Sequence, residues 1–158
     1  MSALSTRVAS RVELAPWVSL LRAHAALTRD LNSDLVAEHG LTINDYEVLL
    51  RLAHADGRRM RRVDLAASVF LTPSGITRLL AGLERAGYVG RAQCASDARV
   101  TYAELRDKGL AKLREASSTH LSGIRRRFLA RFDAKERATL AELLGRLAES
   151  DRVDCAPD

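Results

Sequence analysis

The sequence predicts a mostly helical α+β fold, and three observations carry that prediction. Apolar residues recur at helical spacing along most of the chain. The period becomes that of extended strands only after Gly87. The excess of positive charge is confined to the same middle region. The chain has 158 residues with a net charge of +5, and between positions 57 and 106 nine arginines face four acids. Those arginines are Arg58, Arg59, Arg61, Arg62, Arg78, Arg85, Arg91, Arg99 and Arg106, and the acids are Asp64, Glu84, Asp97 and Glu104. Elsewhere sixteen basic residues balance sixteen acidic ones. A local excess of this kind is the electrostatic footprint of a surface for nucleic acid.

The elements follow in order. From about Pro16 to His39, Trp17, Leu20, Leu21, His24, Leu27, Leu31 and Leu35 keep helical spacing, and Gly40 ends the helix. Thr42-Ile43-Asn44-Asp45 resembles a capping arrangement opening a second helix, which carries Tyr46, Leu49, Leu50 and Leu52. Asp56-Gly57 marks a turn, and Arg58 to Arg62 suits a brief strand. Val63 to Val69 reads as a compact apolar helix, followed by a turn at Phe70-Leu71.

The next helix, Pro73 to Ala86, is the most informative stretch. Thr72 suits the N-cap, Pro73 the first helical position and Gly87 the left-handed stop. Ile76, Leu79, Leu80 and Leu83 form one apolar stripe, and Ser74, Thr77, Arg78, Ala81 and Arg85 fall on the other side. Small hydroxyls with an arginine near a helix start suit the DNA major groove, although an ordinary amphipathic surface helix shares the pattern. Gly75 would permit a close backbone approach to DNA, and Gly82 close packing of a neighbouring helix. Tyr88 to Cys94 and Val100 to Leu105 read as the strands of a hairpin whose turn is Ala95 to Arg99. A long helix runs from Asp107 to about Arg131, with Leu110, Leu113, His120, Leu121, Ile124 and Phe128 on its apolar side. Asp133-Ala134-Lys135-Glu136 opens the last helix, which carries Leu140, Leu143, Leu144 and Leu147.

Short helix, tight turn, helix and hairpin make a winged helix-turn-helix, here flanked by helices from both chain ends. Those terminal helices have wide apolar stripes and point to an interface between two copies. The expected division is residues 1–40 and 107–150 as dimerisation regions, 41–106 as the DNA-binding domain, and 151–158 as a flexible tail.

With this order established, the chain resembles the MarR family of bacterial transcription regulators. The resemblance rests on Leu41-Thr42, Val63-Asp64-Leu65-Ala66, Ile76-Thr77-Arg78-Leu79-Leu80 and Leu83 to Val89. It continues through Arg91, Asp97-Ala98-Arg99 and Leu105-Arg106-Asp107-Lys108-Gly109. It implies a homodimer straddling a pseudo-palindromic operator, with Thr72, Ser74, Gly75, Thr77 and Arg78 at the groove. Arg99 would be the wing arginine and Asp97 its anchor, with Arg91 sharing that carboxylate or facing phosphate. Ala98 and Val100 stand where the family has a more basic tip and a glycine, so the resemblance implies phosphate contact by Arg99 rather than deep minor-groove insertion. Arg61 and Arg62 suit phosphate contacts or a solvated charged loop. The family also implies an effector cavity for small aromatic or phenolic anions, with Trp17, Leu21, His24 and Tyr46 as candidates. The same residues equally suit dimer core, a satisfied histidine and helix packing.

Other function classes find less support. No acid, base and nucleophile converge as an enzyme requires. His24, His39, His54 and His120 are scattered, so no metal site is expected and no cofactor is implied. Cys94 and Cys155 form no framework and no redox partner is visible. No apolar run suits a membrane span and no signal peptide is evident, so a cytoplasmic location is expected. The expected function is a sequence-specific repressor released by a small ligand; the alternative is a constitutive or architectural DNA-binding protein without an effector.

Overall fold

The computed structural model describes residues 12–93 and 100–148. Its elements run α1 (Ala15–His39), α2 (Ile43–His54), β1 (Arg59–Arg61), α3 (Arg62–Ser68), α4 (Pro73–Arg85), β2 (Val89–Gln93), β3 (Thr101–Leu105), α5 (Asp107–Arg127) and α6 (Ala134–Ala148). Two compact units result, one running to His120 and the other from Leu121 onward.

Local chemistry sets the helix ends in the first unit. Gly40 stops α1 at φ 65°, a left-handed conformation that costs glycine nothing, and its N–H donates to the carbonyls of Leu35 and Val36. A full capping box opens α2: the Thr42 hydroxyl accepts from the Asp45 N–H, and the Asp45 carboxylate accepts from the Thr42 N–H. The brief strand expected at Arg58–Arg62 is β1, which pairs antiparallel with β3. β3 also pairs with β2, so the sheet has the order β1-β3-β2 rather than that of a lone hairpin. The hairpin turn expected at Ala95–Arg99, with Cys94, lies outside the described residues, as does the tail with Cys155.

The core joins the end of α1, α2, α3, α4, the sheet and the first half of α5. Leu35, Val48, Leu49, Leu52, Leu65 and Leu80 are the largest side chains fully withdrawn from solvent. Packing of this kind supplies most of the stability of short helices such as α3. On α5 the buried line is Leu113, Ala116 and His120, while Leu121 is exposed. The sequence stripe therefore keeps Leu113 and His120 and loses Leu121. Only Leu31 and Leu35 of the α1 stripe are buried; Trp17 and Leu21 lie open.

In the second unit α5 ends at Arg127, earlier than the expected Arg131, and Leu129–Arg131 form a single 3₁₀ turn. Phe128 and Phe132 bracket that turn with edge-on rings 5.4 Å apart. Asp133 and Glu136 then exchange backbone bonds of 2.8 and 2.9 Å in the capping box that starts α6.

Candidate nucleic-acid interface

The start of α4 is built by its own residues. Thr72 is extended at φ −69° and ψ 157°, and its hydroxyl accepts from the Gly75 N–H at 3.1 Å. A Cβ on Gly75 would stand 3.1 Å from that hydroxyl oxygen, so the glycine leaves room for the cap. Among the described residues Gly82 has nothing within 4 Å of such a Cβ, so the close helix packing expected there is not made by them. Gly87, at φ 76°, closes the helix, and the N–H groups of Gly87 and Tyr88 donate to Glu84 and Leu83.

Ile76, Leu80 and Leu83 turn inward, whereas Ser74, Thr77, Arg78 and Arg85 are exposed. The Thr77 hydroxyl donates to the Pro73 carbonyl at 2.8 Å, and the Ser74 and Thr72 hydroxyls lie 3.2 Å apart. Thr72, Ser74, Gly75, Thr77 and Arg78 therefore share the first turn and a half of one helix, as the sequence pattern implies.

The arginines fall into two sets. Arg78 and Arg85 have no ion pair or side-chain hydrogen bond among the described residues and stand open to solvent. Others are held within the chain. Arg61 grips Asp64 through Nε and Nη2, at 2.7 and 3.2 Å. Arg91 Nε donates to both carboxylate oxygens of Glu84. The partner carboxylate raises the pKa of each guanidinium. Arg58 meets Asp107 at 3.2 Å, and the Arg59 guanidinium lies 5.5 Å from the centre of the Tyr102 ring. Arg62 is half-buried, and its Nη2 is shielded without a hydrogen-bond partner among the described residues. Asp97 and Arg99 lie outside the described residues. The Arg91 partner found here is Glu84, which the sequence did not single out.

The four effector candidates divide as well. Trp17, Leu21 and His24 are exposed along α1, with Trp17 57% open. Tyr46 is buried at the start of α2, its ring 4.5 Å from that of His120. The Ser117 hydroxyl donates to the Leu113 carbonyl and so accepts from Tyr46 at 3.3 Å. His39, in the last turn of α1, bonds α5. Thr119 donates to Glu38 and accepts from His39 Nε2 at 2.8 Å.

One feature of the turn was not legible. Phe70, between α3 and α4, is 94% exposed and left-handed at φ 54°, where a glycine would be expected. Neither exposure nor a positive φ has a signature in an aromatic residue's identity.

A short helix, a tight turn, an exposed amphipathic helix and a sheet that braces it define a winged helix-turn-helix module. A MarR family profile matches residues 39–100, which covers this module from α2 through β2. The chain is 32% identical over 108 residues to the helix-turn-helix-type transcriptional regulator YdgJ of Bacillus subtilis; the match covers 68% of this chain and 64% of YdgJ. The structure is similar to that of AbsC, a MarR family transcriptional regulator from Streptomyces coelicolor, with TM-score 0.84 and 33% identity over 94% of this chain and all of AbsC. It is similar also to the MarR family regulator Sco3205 of Streptomyces coelicolor solved in complex with DNA, with TM-score 0.86, 29% identity and 96% of both chains covered. The chain belongs to the MarR family of transcriptional regulators. Among the described residues no single helix is long and apolar enough to cross a membrane.

Proposed function

We propose that the protein is a homodimeric repressor that binds a pseudo-palindromic DNA operator through α4 and is released by a small aromatic or phenolic ligand. The observation that carries the DNA reading is the exposed face of α4, where Arg78 has no ion pair or side-chain hydrogen bond among the described residues and stands beside Ser74 and Thr77. The DNA-bound state of the similar Sco3205 supports it. Exposed Leu14 just before α1 and Trp17, Val18 and Leu21 on it support self-association, as do Leu143, Leu144 and Leu147 on α6, because apolar patches of this kind mark interfaces. On this reading Trp17, Leu21 and His24 contribute to the effector cavity, and Tyr46 lines its inner wall. Arg61, Arg62 and Arg99 meet phosphate, with Asp97 positioning Arg99, while Arg91 stays paired with Glu84.

Selection of bound duplexes from a random pool, with light scattering to count chains, tests the proposal. A two-fold site bound by two chains is expected, with half-sites about one helical turn apart. Binding without sequence preference, unaltered by aromatic acids and without quenching of Trp17 fluorescence, would favour the architectural reading instead.

A further inference from the structure

The turn between α3 and α4 forces its central residue into a conformation that only glycine adopts freely. The chain bends by 105° there. The Phe70 N–H donates to the Ala67 carbonyl and the Leu71 N–H to the Ala66 carbonyl. These are the paired bonds of a Schellman motif, and they put Phe70 at its left-handed position with φ 54°. Val69 and Leu71 on either side pack against the core, which holds the backbone in this shape. Glycine would fit without strain, whereas the Cβ of an L-residue crowds the carbonyl oxygen that follows it.

Nothing within the chain compensates Phe70 for this strain. Its side chain lies open to solvent and makes no ring contact among the described residues. Arg58 is left-handed too, at φ 54°, but has Asp107 as a partner at 3.2 Å. Strained residues with no local return gather at binding sites. The place of Phe70 in the chain says which site. It stands two residues before Thr72, whose hydroxyl caps α4, so their Cα atoms are within about 7 Å of each other. The exposed face of Ser74, Thr77 and Arg78 begins there.

We infer that Phe70 is a specificity-determining residue of the DNA interface, its ring packing on a thymine C5-methyl at the edge of the major groove that α4 enters. The side chains at this end of the helix, Thr72, Ser74, Thr77 and Arg78, are polar or charged, and Phe70 is the apolar one among them. The apolar group that a duplex shows in its major groove is the thymine methyl, which the other three bases lack. Contact with it removes apolar surface of both partners from water. Phe70 thereby adds a thymine to each half-site, apart from the base met by Arg78. The inference rests on the DNA-binding reading proposed above.

Thermal melts, light scattering and competition binding test the contact, using a duplex that the full chain selects from a random pool. Phe70→Gly should melt no lower than the parent chain, because relief of strain offsets the greater freedom of glycine in the unfolded state. It should also leave the number of chains per particle unchanged. Its affinity for the selected duplex should nevertheless fall about fourfold or more, as expected for one buried methyl-sized group. Phe70→Leu, which keeps an apolar body, should stay within about twofold of the parent. Replacing thymines one at a time by uracil should expose one position per half-site that costs the parent about fourfold and Phe70→Gly nothing. Equal affinity of Phe70→Gly and the parent, or no uracil-sensitive position, overturns the inference. So does a lower melting midpoint, which assigns Phe70 to the fold, or a changed chain number, which assigns it to an interface between copies. If no duplex is selected, the DNA-binding reading itself fails and this contact with it.

Discussion

Arg91 on β2 donates from Nε to both oxygens of Glu84 on α4, at 2.8 and 2.9 Å, and so fastens the sheet to the last turn of the helix. Glu84 is the shielded member of the pair, with its side chain 20% exposed against 59% for Arg91. The bond keeps an arginine of the positively charged segment occupied while the protein is free. Glu84→Gln removes the carboxylate and leaves Arg91 free to meet phosphate. Binding to nonspecific duplex should tighten several-fold, and the slope of log K against log salt should steepen by about 0.9 if one phosphate contact is added. A salt titration of both proteins measures this, and an unchanged slope would show that Arg91 faces away from the backbone.

Arg78 is the arginine placed to reach a base. Arg78→Ala should weaken selected sites by roughly 1–3 kcal/mol while relaxing preference at one position in each half-site. Arg85→Ala, three turns into α4, should alter affinity for all sequences alike. Competition binding against a panel of single-base variants separates the two outcomes.

Two glycines should respond oppositely to alanine. At Gly82 the added methyl meets nothing within 4 Å, so Gly82→Ala should stabilise the protein by about 0.5–1 kcal/mol. At Gly109 the methyl would overlap the Tyr88 carbonyl oxygen, which also accepts from the Arg106 N–H. Gly109→Ala should therefore cost on the order of 1–3 kcal/mol as the backbone shifts. Denaturant midpoints of the two variants provide the comparison.

His120 should make folding sensitive to acid. Burial lowers its pKa below the ordinary 6.5, and Glu47 opposes the shift without reversing it. The unfolded chain then binds the proton more readily than the folded one. This contribution to stability is fully present above pH 6.5 and is lost as pH falls toward the folded-state value. Unfolding midpoints measured from pH 7.5 to 5 should fall less steeply for His120→Phe than for the parent chain; equal slopes would exclude His120 as the cause.

What the sequence disclosed was mostly local. The capping boxes at Thr42 and Asp133, the stop at Gly40 and the cap at Thr72 act through neighbours within a few residues, so residue identity suffices to find them. The inward stripe of Ile76, Leu80 and Leu83 is legible because one helical period repeats through it. Long-range partners were not. Glu84 and Arg91 meet across a turn and a change of period, and the third strand edge depends on β1 folding back onto β3. The inward setting of Arg62 depends on packing around the start of α3, and its identity alone points outward to phosphate. Trp17 and Leu21 show the reverse failure: their apolar spacing was clear, yet nothing in the sequence says that one chain leaves them open.

The Thr77 hydroxyl has a single proton, and the Pro73 carbonyl holds it. A helix that enters the major groove with this bond intact presents lone pairs and a methyl at that position, and no donor. Such a side chain complements the exocyclic amino groups of adenine and cytosine, or the thymine methyl, and has nothing to offer the paired acceptors of guanine. The helix interior thus dictates part of the grammar of the operator: beneath Thr77, guanine should be the base least tolerated.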